Sequence, residues 1–125
     1  MKKILKNSVM NEMIHHLQPI LSHRDKIGYI AARNYRIITT ALTEYEAFKN
    51  GLIEKYGEQD KDENGNDLPT ISIKIGSPKF HEFRKELEPF NNMEHEIDLM
   101  IAKYENAIGC LSGEEILTID WMFED

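Results

Sequence analysis

The sequence predicts an α+β fold, mostly helical, in a single domain with one long helix and a small antiparallel sheet. Three observations carry this. The first is an apolar seam with helical spacing from Ile27 to Leu52. The second is a segment, Thr70–Ile75, in which isoleucines alternate with polar residues. The third is a set of start and stop signals that cut the rest of the 125 residues into short elements.

The seam is Ile27, Ala31, Asn34, Ile38, Ala41, Tyr45, Phe48 and Leu52. Its steps alternate four and three, the 3.5-residue period of a helix lying along another helix. Asn34 is the one polar member. Ser22 and Asp25 suit the helix start and Tyr56-Gly57 suits its end, which gives a helix over residues 22–57. At about 1.5 Å per residue that helix is roughly 50 Å long. A compact domain of this size is nearer to about 35 Å across. The helix must therefore bend, protrude or be covered by a partner. The seam serves as the domain core or, in part, as a surface for a partner or a second copy.

Before the seam, Lys2–Asn7 reads as a short strand with Ile4 on one side and Lys3 and Leu5 on the other. Ser8–Leu17 reads as a helix capped by Asn7 or Ser8, with Val9, Met10, Met13, Ile14 and Leu17 as its apolar face. After it, Glu58–Asp67 is an acidic loop turning at Asn64-Gly65, where both residues tolerate positive φ. Ile71, Ile73 and Ile75 then mark a strand with one buried face. Ser77-Pro78 opens a helix whose Phe80, Phe83, Leu87 and Phe90 match the seam, and Pro89 and Asn91-Asn92 end it. Residues 93–102 fit a strand by the alternation of Met93, His95, Ile97, Leu99 and Ile101. They also fit a helix through Met93, Ile97, Met100 and Tyr104; the cleaner alternation favours the strand. Ser112 and Glu115 form a capping box that starts a last helix running through Trp121 and Phe123.

Charge is uneven. The formal net charge is −7. Residues 1–57 hold nine Lys/Arg against five Asp/Glu, and residues 58–125 hold six against seventeen. The balance argues for attraction between the halves and an acidic outer face, and against nucleic acid as a partner. One cysteine, Cys110, permits no intramolecular disulfide. The first residues lack the apolar stretch of a signal peptide, and no segment approaches a membrane span, so the expected location is cytoplasmic.

The phrase Leu52-Ile53-Glu54-Lys55-Tyr56-Gly57-Glu58-Gln59-Asp60 is followed by the acidic Asn-Gly turn. Then come Phe83-Arg84-Lys85-Glu86-Leu87, Glu94-His95-Glu96-Ile97-Asp98, Leu111–Ile116 and Asp120-Trp121-Met122. In this order and spacing the chain resembles a family of small, uncharacterised proteins encoded by tailed phages and prophages. The resemblance covers most of residues 24–124. It implies a phage origin, with the protein in the cytoplasm of the host bacterium or in the virion, and supports a strand at Met93. It assigns no catalytic residues.

Candidate chemistry is sparse. Asp60, Asp62 and Asn64 with Gly65 have the spacing of the first half of a calcium loop, but Asp67 and Ile71 stand where the second half needs an apolar residue and a bidentate glutamate. His23, His81, His95 and Cys110 would have to converge to bind zinc. Cys110 precedes a helix cap, where a dipole lowers a thiol pKa. Glu94, Glu96 and Asp98 would line one face of a strand. Arg33 and Arg36, with Arg24 and Lys26 on the same stretch and Tyr29 and Tyr35 near, pair with the acidic half or touch phosphate or another acidic surface. Trp121, Met122 and Phe123 are anchor types for an interface, or core. The functional expectation is a non-enzymatic protein-interaction protein without cofactor or metal. It would bind a phage structural or host protein, or another copy through the long helix. The alternatives are an acidic inhibitor of a host nucleic-acid-binding defence protein and a metal-binding module.

Overall fold

A computed structural model describes residues 1–125. In chain order the elements are β1 (Lys2–Lys6), α1 (Asn7–Leu17), α2 (Lys26–Ala41), α3 (Thr43–Tyr56), β2 (Glu58–Lys61), β3 (Asp67–Ser72), α4 (Pro78–Asn91), β4 (Glu94–Asp98), β5 (Ala102–Lys103), α5 (Gly113–Thr118) and β6 (Phe123–Glu124). The fold is α+β and mostly helical, as expected. It packs as two compact units, Met1–Leu42 with Glu94–Asp125, and Thr43–Met93.

The predicted single helix is two helices. Asp25, not Ser22, caps α2: its carboxylate accepts the Gly28 N–H at 3.1 Å. The regular helical run ends at Leu42, the C-cap of α2, whose φ of −89° and ψ of 0° stay in the broad right-handed region and whose N–H still donates to the Ile38 carbonyl. No Gly or Pro marks the break, so the seam reads straight through it. Ile27, Ala31, Asn34 and Ile38 are buried on α2; Tyr45 and Leu52 are buried on α3. Ile38 is 0% exposed, whereas Phe48 keeps 37% and is covered on one side by the Phe90 ring, 3.9 Å between centroids.

In the first unit, β1 and β4 pair antiparallel with Lys2 opposite Asp98, Ile4 opposite Glu96 and Lys6 opposite Glu94. Lys3, Leu5, His95 and Ile97 turn inward; Ile4 and the three carboxylates face water. The strand reading of residues 93–102 thus holds for Glu94–Asp98. Beyond it, Asn34 explains its place in the seam. Its Nδ2 donates to the Met100 carbonyl at 2.9 Å and its Oδ1 accepts the Met100 N–H at 2.8 Å. A buried amide thus fastens the stretch between β4 and β5, which has no strand partner for these groups.

The end of the chain departs from the helix predicted there. α5 stops at Thr118, a 3₁₀ turn carries Asp120–Met122, and β6 pairs parallel to β5, with Ala102 opposite Phe123. The Ser112–Glu115 capping box is present in both directions.

In the second unit, α4 packs on α3 through Phe48–Phe90 and a hydrogen bond from Tyr45 Oη to Asn91 Oδ1. Ser77 caps α4 and Pro78 opens it, but the helix continues through Pro89 to Asn91. The hairpin β2–β3 corrects two expectations. Its turn is Asp62–Gly65, and only Gly65, at φ 81°, uses positive φ; Asn64 does not. The strand runs over Asp67–Ser72, earlier than Thr70–Ile75, and Ile75 is left 86% exposed. Alternation there tracked β propensity, not burial. Gly57 is not in the left-handed region either. It is small because Ile71 and the Ser72 backbone pass over it: an added Cβ would lie 2.4 Å from Ile71 Cγ2.

Candidate functional site

Opposite its buried seam, α2 carries a second line of residues: Lys26, Tyr29, Arg33, Arg36 and Thr40. These steps of three and four bring them onto one face, roughly half a turn from Ile27, Ala31 and Ile38. All five are exposed, and Tyr29 is 60% exposed. The expected pairing of Arg24, Lys26, Arg33 and Arg36 with the acidic half does not occur. The Lys–carboxylate pairs are Lys2–Glu96, Lys55–Glu86, Lys61–Asp67 and Lys79–Glu58, and none of Arg24, Lys26, Arg33 and Arg36 takes part. A strip of free positive charge with one exposed aromatic ring thus sits on a protein of net charge −7.

The other candidate anchors are elsewhere. Met122 and Phe123 are core: Met122 is 0% exposed and Phe123 stacks on Tyr104 with 5.4 Å between ring centroids. Both side chains are buried and so are not available to a partner. Trp121 is half-buried, and its Nε1 is enclosed without a hydrogen-bond partner.

A polar cluster that spacing does not reveal lies where α2 and α5 begin. His23 Nε2 is 3.2 Å from Glu115 Oε2 and its Nδ1 is 3.7 Å from Asp25 Oδ2. Cys110 joins through Asp25. Loss of hydration around its sulfur and the adjacent Asp25 carboxylate push the thiol above its usual pKa. That reverses the lowering expected from a helix dipole, and a protonated thiol is a poor nucleophile. Of the four residues a zinc site would need, His23 and Cys110 each lie beside the Asp25 carboxylate.

The calcium-like residues are engaged within the hairpin. Asp60 accepts hydrogen bonds from the Thr70 and Ser72 hydroxyls across the strands, while Asp62 Oδ1 accepts the Asn64 and Asn66 N–H groups, each at 2.9 Å. The two carboxylates serve different partners and do not converge. No group of three or more His, Cys, Asp or Glu side chains is arranged to hold a metal ion. No helix is long and apolar enough to cross a membrane.

The chain matches no family model, no curated protein and no solved structure.

These hydrogen bonds have a consequence in acid. Asp25 is lowered chiefly by the Gly28 N–H, Glu115 by the Ser112 N–H, Asp60 by the Ser72 hydroxyl and Asp62 by the Asn66 N–H. Each folded-state pKa lies below its unfolded value. Their contribution is therefore complete above the ordinary carboxylate range and is lost as pH falls through the folded values. Melting followed by circular dichroism should show a constant midpoint from neutrality to about pH 5 and a fall below about pH 4.5. A midpoint unchanged at pH 3 would contradict the assignment.

Proposed function

We propose that the chain is a phage-encoded, non-enzymatic protein-interaction protein that meets its partner through the exposed face of α2, in virion assembly or against a host factor. The observation that carries this reading is the unpaired strip Lys26, Tyr29, Arg33 and Arg36. Arginine and tyrosine are the residue types that dominate contact energies, because both combine a flat, apolar body with a polar end. Three cations left without ion pairs on a chain of net charge −7 favour a compact acidic partner over a long polyanion, which the rest of the surface would repel. The resemblance to phage proteins supplies the setting.

The reading of an acidic inhibitor is less favoured. Its best surface would be the row Glu94, Glu96 and Asp98, and Lys2 and Lys6 lie across the ribbon from that row.

The test is capture from infected host cells by the tagged full chain and by its Arg33→Glu/Arg36→Glu variant, at low and high salt. Loss of a specific binder by at least about tenfold in the variant is expected, since breaking close charge pairs costs on that order. Capture indifferent to both substitutions would overturn the assignment of the α2 face.

A further inference from the structure

The exposed face of α3 has a pattern that fits the α2 strip. Glu44, Ala47, Gly51 and Glu54 lie on it at steps of three, four and three, and all four are exposed. Neither glutamate takes part in an ion pair within the chain. On α2 the steps from Lys26 through Tyr29 and Arg33 to Arg36 are also three, four and three. Set antiparallel, the two faces match position by position. Lys26 falls opposite Glu54, Tyr29 opposite Gly51, Arg33 opposite Ala47 and Arg36 opposite Glu44.

We propose that the α2 face of one copy of this chain docks antiparallel on the α3 face of a second copy. This rests on the reading of α2 as a contact face and names its partner. The register puts opposite charges at both ends and large side chains against small ones in the middle. Nothing lies within 4 Å of where a Cβ on Gly51 would stand, so the backbone there is open to the Tyr29 ring. Ala47 leaves room for the Arg33 stem, which covers apolar surface while its guanidinium stays hydrated. Both lines keep the 3.5-residue period of helices that pack along one another. Each copy carries both faces, so one contact type can build a closed dimer or a longer assembly. Contact through two short faces belongs to the weak, transient class, and charge pairs at its ends make it sensitive to salt.

The test is the mass of the full chain in solution, by sedimentation at about 0.1 mM protein. In about 0.1 M salt the mass should reach at least twice the 14.6 kDa of one chain, falling toward 14.6 kDa in about 0.5 M salt. Arg36→Glu alone and Glu44→Arg alone should each give monomers, because each sets like charges against one another. The two substitutions together on one chain should restore association, since every contact again pairs opposite charges. A chain that stays monomeric, an assembly indifferent to both single reversals, or a double swap that fails to reassemble would each overturn the proposal. A monomeric chain whose capture of another protein still depends on Arg33 and Arg36 would overturn self-association while leaving α2 as the contact face.

Discussion

Replacing Asn34 with leucine should lower the stability of the first unit by about 3 kcal/mol, although leucine matches the rest of the seam better than asparagine does. Asn34 is 0% exposed and makes both hydrogen bonds to the Met100 backbone. Leucine leaves an N–H and a carbonyl without partners, at about 1–3 kcal/mol for each group that stays dry. Added apolar burial returns only part of this. Urea unfolding measures the difference, and a change under about 1 kcal/mol would mean that the Met100 groups find water. Asn34→Asp separates hydrogen bonding from volume. Ionised, the aspartate still accepts the Met100 N–H but faces the Met100 carbonyl with a second acceptor; protonated, it donates to that carbonyl. Its folded-state pKa should therefore rise above the unfolded value. The deficit relative to the parent protein should then be largest at neutral pH and shrink toward about pH 4.

The second large effect is at Gly28, where alanine should destabilise by more than about 2 kcal/mol. By helix propensity alone the change ought to help by about 1 kcal/mol. Here an added Cβ would lie 1.9 Å from the His23 carbonyl oxygen and 2.7 Å from its carbon. Both are backbone atoms, so the turn that brings His23 to Glu115 and Asp25 to the Gly28 N–H has to open. Gly51 is the control. It sits within α3 with nothing within 4 Å of an added Cβ. Gly51→Ala should therefore stabilise by roughly 0.5–1 kcal/mol. Thermal melts of the two variants should move in opposite directions; a Gly28→Ala protein as stable as its parent would refute the close approach.

Much of the fold was legible in the chain because its signals are local. The Ser112–Glu115 box and the Ser77-Pro78 start depend on backbone groups within a few residues, and both are present. The alternation in β4 was legible because one of its faces is buried. The same alternation misled at Ile71–Ile75, since a two-stranded hairpin has no second layer to cover it. Arg33 and Arg36 were legible as candidates, but their freedom from ion pairs was not. Charge totals say how much attraction exists, whereas pairing requires side chains within about 4 Å.

The sequence by itself determined the helical period, the caps, the polar exception at Asn34 and the segregation of charge, because each follows from neighbours along the chain and from the fixed geometry of helix and strand. Only the tertiary structure decided that the seam is interrupted at Leu42 and that Asn34 fastens Met100. It also decided that Met122 and Phe123 lie inside while Tyr29 and Arg33 lie outside. Those outcomes depend on which groups from distant positions compete for the same enclosed space and the same hydrogen bonds, and no local pattern encodes that competition.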